Sequence, residues 1–348
     1  MTLADLRSDT LTKPTPKMLA SMMAAEVGDD VFGEDPTVAR LEAETAGLLG
    51  KEAAIFVPSG TMANQIAIQL HTRPGDTVLA EEGAHVLRFE AGAAAALAGV
   101  QIDCLPRAAA LADDLLTENY RPQSLHTSAT TLLVVENTHN VGGGRVLSLP
   151  AMQRIGTTAK KLGLAVHCDG ARLWNAAVAL GCSEASLVAQ CDTVAVCLSK
   201  GLGAPVGSIL AGSSADITRA RKLRKRAGGG MRQAGYLAAA GLFALEHHRA
   251  RLADDHAAAG LLAAKLGDAV RAGYPLEVNY PSPGTNMVYV RLSHGSALDH
   301  ERELVKRGVR MIAMGGGWLR AVFYLGVDYS AAELAASSIL ALSTELRR

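Results

Sequence analysis

Short apolar runs recur between residues 50 and 215, separated by stretches whose apolar positions repeat at helical spacing. The runs are Ala54–Val57, Thr77–Ala80, Val100–Leu105, Thr131–Val135, Leu164–Val166, Val194–Leu198 and Gly207–Ala211. Unbroken apolar runs of this length predict strands buried on both faces. Between two of them, Pro150 to Leu162 predicts a helix, with proline near its start and Gly163 just past its end. Strand–helix–strand alternation implies an α/β unit with a mainly parallel sheet, and in such sheets ligands bind beyond the carboxyl ends of the strands. After about residue 235 the pattern changes. Residues 236–272 predict helix, Thr285–Leu292 a strand, Glu301–Gly308 a helix, Trp318–Tyr324 a strand and the tail from Ser330 a helix. Without strict alternation, this half predicts a smaller α+β domain.

Composition narrows the class. The chain has 348 residues, of which 49% are hydrophobic, enough for a large core and against disorder. Lys+Arg and Asp+Glu both number 34, so net charge points neither to nucleic acid nor to an anionic membrane, and the expected partner is a small molecule. No apolar run approaches the roughly 20 residues that span a bilayer, and the first residues lack the features of a signal peptide. Five cysteines at irregular spacing form no disulfide framework or metal-ligand pattern. The expectation is a reduced, cytoplasmic protein without a metal, in which Cys168 and Cys197 pack in strands.

One lysine stands apart from the solvated ones. Lys200 ends the run Thr193–Leu198 and opens a glycine turn, Ser199-Lys200-Gly-Leu-Gly203. A charged amine is costly at the mouth of a buried strand. It is useful there if it attacks a carbonyl to form a Schiff base. The run through Cys168 ends likewise in Asp169-Gly-Ala-Arg172. A carboxylate and a lysine at successive strand ends suit pyridoxal 5′-phosphate, which needs an imine partner and an acid beside its pyridine nitrogen. Asp169 reads equally as a helix cap, and Lys200 as a snorkelling side chain.

The segment Phe56-Val-Pro-Ser59-Gly60-Thr61 runs from a strand through a glycine turn into a helix with apolar residues at 62, 63, 66, 67 and 70. That is a phosphate cradle, in which glycine admits close approach, or an ordinary capped helix. His85 and His126, in loops beside strands, can stack, donate or move a proton, or be plain polar surface. His139 is expected to support a turn. The basic run Arg219–Arg226 predicts a solvated helix face, and the glycine break after it could present Arg232 to a phosphate. Arg320 alternates with Leu319 and Ala321 on a strand, and its fork fits a substrate carboxylate or solvent.

Together these segments resemble the low-specificity L-threonine aldolases, members of the aspartate-aminotransferase-type (fold type I) pyridoxal phosphate enzymes. The resemblance rests on Leu6-Arg-Ser8-Asp-Thr10, Val27–Val31 with Gly33–Pro36, Pro58–Thr61, Ala84-His85 with Phe89–Gly92, Glu136–Asn140, Asp169–Arg172, Leu198–Gly207 and Gly228–Gln233. It implies a large cofactor-binding domain over residues 12–250 and a small C-terminal domain over 251–348, with segment 1–11 contributing to the active site. It assigns Lys200 to the Schiff base with the cofactor, Asp169 to the pyridine nitrogen and His85 to the ring face. Gly60, Thr61 and Arg232 match phosphate contacts, Arg232 being donated by a neighbouring subunit. Arg172 matches a residue near the phenolic oxygen and the substrate carboxylate, Ser8 and Arg320 match carboxylate contacts, and His126 matches a residue near the substrate hydroxyl. The chain departs from the family at Val141-Gly-Gly-Gly-Arg145, which predicts a longer, looser loop. It departs again at Arg320-Ala-Val-Phe-Tyr324, where an aromatic replaces a histidine and is expected to reshape the pocket.

The implied reaction is reversible retro-aldol cleavage of L-threonine, L-allo-threonine and related β-hydroxy-α-amino acids to glycine and an aldehyde. The base that takes the hydroxyl proton stays open between His85, His126 and a bound water. A β-eliminating lyase using the same cofactor is the alternative, and a non-catalytic binding module the third reading. The resemblance also implies a homo-oligomer, a tetramer of dimers with shared sites.

Overall fold

A computed structural model describes residues 3–107 and 113–345. In chain order the strands are β1 (Ala4–Asp5), β2 (Ala53–Val57), β3 (Thr77–Glu81), β4 (Gln101–Leu105), β5 (Thr130–Glu136), β6 (Ala165–Gly170), β7 (Thr193–Cys197), β8 (Ser208–Gly212), β9 (Leu276–Asn279), β10 (Met287–Leu292), β11 (Val309–Arg310), β12 (Ile312–Ala313) and β13 (Leu319–Val322). The seven apolar runs become one seven-stranded sheet in the order β2-β8-β7-β6-β5-β3-β4. The pairs β3–β4, β3–β5, β5–β6 and β6–β7 are parallel, as the alternation predicts. Strand β8 runs antiparallel to both its neighbours, because only residues 198–207 separate it from β7, too few for a parallel crossover. The core on this sheet includes Phe56, Leu133, Val135, Trp174 and Val196, all buried.

The N-terminal part holds a helix that the apolar runs did not reveal, Pro36–Leu49. Its punctuation is nonetheless in the sequence. The Asp35 carboxylate accepts from the backbone N–H of Thr37 and Val38, Pro36 occupies the first turn, and Gly50 ends the helix at φ 61°.

A second, antiparallel sheet, β12-β13-β10-β9, carries its own core of Leu262, Leu266, Val288, Val290, Phe323 and Ile339. Strand β1 pairs parallel with β11, and Ala4 and Leu6 pack in this second core. The N-terminus is thus anchored to the C-terminal part. Leu6 C=O accepts from Val322 N–H at 2.8 Å, which aims the next residues, Ser8 and Asp9, back toward the large sheet.

Several expectations are corrected. The helical stretch 236–272 is two helices, Gly235–His247 and Leu252–Arg271. The break coincides with buried His248, whose Nδ1 lies 2.7 Å from Leu202 O in the Lys200 turn. The strand predicted from Thr285 begins at Met287, because Thr285 and Asn286 hydrogen-bond elsewhere, Thr285 to Gly144 O and Asn286 to Phe323 O and Asp9. The basic helix is not simply solvated. Arg224 is buried, donates to Phe56 O at 2.7 Å and pairs with Asp30 at 2.8 Å, while Arg221 pairs with Glu42. The 141–145 loop is tight rather than loose. His139 and Arg145 form a bridge, Gly143 and Gly144 N–H donate to Asn140 O and His139 O, and Arg145 is tied to Glu81 at 2.5 Å. Among the described residues no helix is long and apolar enough to cross a membrane.

Candidate active site

The carboxyl ends of the parallel strands gather the polar residues. Glu136 ends β5, Asp169 stands one residue from the end of β6, and the two are register partners. Lys200 lies three residues past β7, half-buried, with no hydrogen-bond or ion-pair partner among the described residues. Its charge nevertheless reaches both Asp9 and His85. The strands that lead to Asp169 and Lys200 are neighbours, and the charges of both residues act on His85.

Asp169 is buried, and both its oxygens accept hydrogen bonds: Oδ2 from Asn64 Nδ2 at 2.9 Å and Oδ1 from Ala171 N–H at 3.1 Å. Asn64 Nδ2 also donates to Glu90 Oε1 at 2.8 Å, and Gln65 Nε2 to Glu90 Oε2 at 2.6 Å. Glu90 in turn lies 2.8 Å from His85 Nδ1. Burial works against a proton on His85, but the Glu90 hydrogen bond and the charges of Asp169 and Glu90 outweigh it and raise its pKa. The His85 N–H donates to Glu136, whose carboxyl is pushed up by burial. The His85, Glu90 and Asp169 ligating atoms fall within 4.8 Å of one another. A cation there would have to replace the bonds those oxygens already accept.

The arginines are held rather than free. Arg172 Nε and Nη2 form a bidentate pair with Asp9, both at 2.7 Å, and both side chains are buried. Burial works to raise the Asp9 pKa, but Arg172, Lys200 and Arg320 together lower it. Arg320, also buried, donates through Nη1 to Asn140 Oδ1 at 2.8 Å and through Nη2 to Arg7 O at 3.0 Å, leaving Nε buried without a partner. Burial and the nearby Arg172 charge lower the Arg320 pKa. Ser8 caps the short turn Asp9–Leu11, its Oγ accepting from Thr10 N–H.

At the helix Gly60–His71, Ser59 Oγ accepts from Met62 N–H at 3.2 Å, so the N–H groups of Gly60 and Thr61 lie ahead of the intrahelical ladder. A Cβ on Gly60 would come within 2.9 Å of Cys197 Sγ. The glycine is thus required by the approach of this helix to β7, a reason the phosphate reading did not include.

Two residues stand apart from the cluster in the single chain. His126 lies on an exposed loop, where its N–H bonds to Ser124 Oγ, and no hydrogen bond or ion pair links it to the cluster. Arg232 is exposed and pairs with Asp29 at 2.9 Å. His139 does support its turn: its Nδ1 accepts from Gly142 N–H at 3.0 Å. Of the aromatics after Arg320, Phe323 fills the second core, and the Tyr324 hydroxyl donates to Asp5 O at 2.8 Å. Sequence reasoning gave no role to Asp9, Asn64, Glu90 or His167. The signal for Asn64 was available, since it is polar within the apolar stretch from 62 to 70.

The donor set fits pyridoxal 5′-phosphate. It offers an amine with no partner, a buried carboxylate acting only as acceptor, a histidine ring anchored from one side, and free N–H groups at a helix start. The comparisons agree. The family model described as beta-eliminating lyase matches residues 5–293. A low specificity L-threonine aldolase of Escherichia coli strain K12 is 44% identical over 295 residues, covering 84% of this chain and 86% of the relative. The chain belongs to the beta-eliminating lyase family, among its low-specificity L-threonine aldolases. A second aldolase of this kind, from Arabidopsis thaliana, is 41% identical over 335 residues, covering 92% of this chain and 90% of the relative. Among solved structures, a threonine aldolase of Leishmania major matches with a TM-score of 0.79 at 22% identity, over 97% of this chain and 99% of that one. A serine palmitoyltransferase of Sphingomonas wittichii matches at 0.77 and 16% identity, over 99% of this chain and 88% of that one. These last two show the fold, the fold type I architecture.

Proposed function

We propose that this aldolase-family chain cleaves L-threonine, L-allo-threonine and related β-hydroxy-α-amino acids to glycine and an aldehyde, reversibly. It is a pyridoxal 5′-phosphate-dependent lyase. The observation that carries the reading is the unpartnered Lys200 amine at the strand ends beside Asp169 and His85. When bound, the cofactor supplies a ring that accepts the electron pair released as the Cα–Cβ bond breaks. Lys200 would hold its aldehyde carbon, Asp169 its pyridine nitrogen and His85 its ring face. Gly60, Thr61 and a neighbour's Arg232 would hold its phosphate. The exposure of Arg232, with Phe32 and Met23 exposed at 73% and 84%, supports a homo-oligomer of dimers with shared sites, which we take to a tetramer.

Ser8, Arg172 and Arg320 orient the substrate carboxylate. Asp9 occupies Arg172 Nε and Nη2, so the contribution of Arg172 runs through Nη1, and Arg320 keeps a second N–H on each Nη beyond those given to Asn140 and Arg7. The β-hydroxyl proton goes to His85, to His126 or to a bound water. For His85 the accepting atom is Nε2, since Nδ1 faces Glu90. An H126A variant that kept the full rate on both threonine diastereomers would take His126 out of this role. We place the domain division after residue 250, supported by the two separate cores, and the protein in the cytoplasm.

Reduction with borohydride tests the reading. The holoprotein should be yellow, and reduction should fix the cofactor on the peptide containing Lys200. A colourless preparation that cannot be reconstituted, or label on another lysine, would refute it. Beta-elimination is the rival chemistry with the same cofactor, and the products from threonine separate the two.

A further inference from the structure

Behind Asp169 a chain of buried side chains runs inward across the sheet. His167 Nε2 lies 3.0 Å from Asn64 Oδ1, and His167 Nδ1 lies 3.0 Å from Thr193 Oγ1, which is 3.1 Å from His71 Nε2. His167, Asn64, Glu90 and Asp169 are all at most 3% exposed, so their polar atoms depend on partners within the protein.

Proton bookkeeping leaves one direction. Asn64 Nδ2 has two hydrogens, and two carboxylate oxygens receive them: Asp169 Oδ2 and Glu90 Oε1. Asn64 Oδ1 must then accept, so His167 carries its proton on Nε2. The neutral ring leaves Nδ1 bare, and the Thr193 hydroxyl donates to it. That uses the single Thr193 proton, so His71 Nε2–H donates to Thr193. The reverse orientation would aim Asn64 Oδ1 at two carboxylate oxygens, acceptor against acceptors. At the far end, Glu90 Oε1 accepts from Asn64 and from His85 Nδ1–H, which leaves Nε2 as the only titrating nitrogen of His85.

We propose that Asn64 is a positioning residue which, oriented by His167, holds Asp169 and Glu90 side by side as hydrogen-bond acceptors, and so fixes both the face offered to the pyridine nitrogen and the tautomer of His85. The inference rests on the function proposed above. One amide couples the residue beneath the cofactor's nitrogen to the one stacked on its ring. It also separates two carboxylates that would otherwise face each other in a buried space. The titratable groups that act on this pair are His85 from its loop, Glu136 from β5 and His167 from β6, while Lys200 acts on His85 and on Asp9.

The test is an Asn64→Ala variant, titrated as apoprotein with pyridoxal 5′-phosphate. Losing a hydrogen bond to each of two buried carboxylates should weaken cofactor affinity by about tenfold to a hundredfold. The pH midpoint of the visible absorption band should shift, with the KM for L-threonine little changed. If wild-type protein binds the cofactor and the variant matches it in affinity and midpoint, this inference fails while the proposed function stands. Wild-type protein that cannot bind the cofactor would overturn the proposed function and, with it, this inference. Should Asn64→Ala not fold, neutron diffraction or nitrogen NMR of the wild type decides: His167 protonated on Nε2 is expected, and on Nδ1 overturns the proposal.

Discussion

Asp9 and Arg172 make a buried bidentate pair between the N-terminal segment and the loop after β6. Breaking a buried pair from one side strands a charge, at about 3–5 kcal/mol. Asp9→Ala should therefore lose stability of that order in urea unfolding and raise the KM for threonine, because Arg172 is no longer aimed. A loss under about 1 kcal/mol would match an exposed pair instead. At this scale the sequence was informative where chemistry is rare and silent where it is shared. Lys200 and Asp169 stood out because charge at a strand end needs a reason. Asp9 and Glu90 did not, because a carboxylate in a loop looks solvated until the fold buries it. The ties of Arg172 and Arg320 leave no mark in the sequence, since no linear pattern pairs residue 9 with 172 or 140 with 320.

The helix Gly60–His71 shows how elements are fixed against one another. Its first residue touches β7 so closely that a methyl group there would meet Cys197 Sγ at 2.9 Å. Gly60→Ala should cost about 1–3 kcal/mol through overpacking and weaken cofactor binding by tilting the helix start. Cys197→Ala in the same chain should recover part of both losses, giving a positive coupling in a double-mutant cycle. Strict additivity would mean that the two side chains do not compete for space. Most large-sheet strands were legible within a residue or two, because burial on both faces leaves unbroken apolar runs, but β6 continues past Val166 through polar residues to Gly170. The two-residue strands β1, β11 and β12 were not. So short a pairing carries no period, and β1 depends on a partner about 300 residues away.

For the whole molecule, buried titrating groups set the response to acid. Burial depresses the pKa of His167 and of His256 to about 4, and raises that of Asp255 to about 6 despite the Arg251 contact. A histidine with a depressed folded pKa stays neutral while the unfolded chain takes up protons, so stability falls as pH drops from about 6.5 to about 4. Asp255 acts oppositely, gaining stability as pH falls through about 6. The raised pKa values of His85 and Glu136 act with Asp255, but His167 and His256, joined by His71 and His248, whose pKa values burial also lowers, outweigh them. The thermal midpoint of the apoprotein should thus decline between about pH 6.5 and pH 4. A constant or rising midpoint would contradict this balance.

The two-part architecture brings Ser8 and Asp9 from one end of the chain, and Arg320 from the other, to the strand ends that carry Asp169 and Lys200. On the proposed function, that convergence would supply a carboxylate clamp on one side and a cofactor anchor on the other. The decisive measurement is the product of L-threonine turnover by the protein loaded with pyridoxal 5′-phosphate. Glycine and acetaldehyde in equal amounts, abolished in Lys200→Ala, are predicted. Formation of 2-oxobutyrate and ammonia instead would contradict the account and point to elimination.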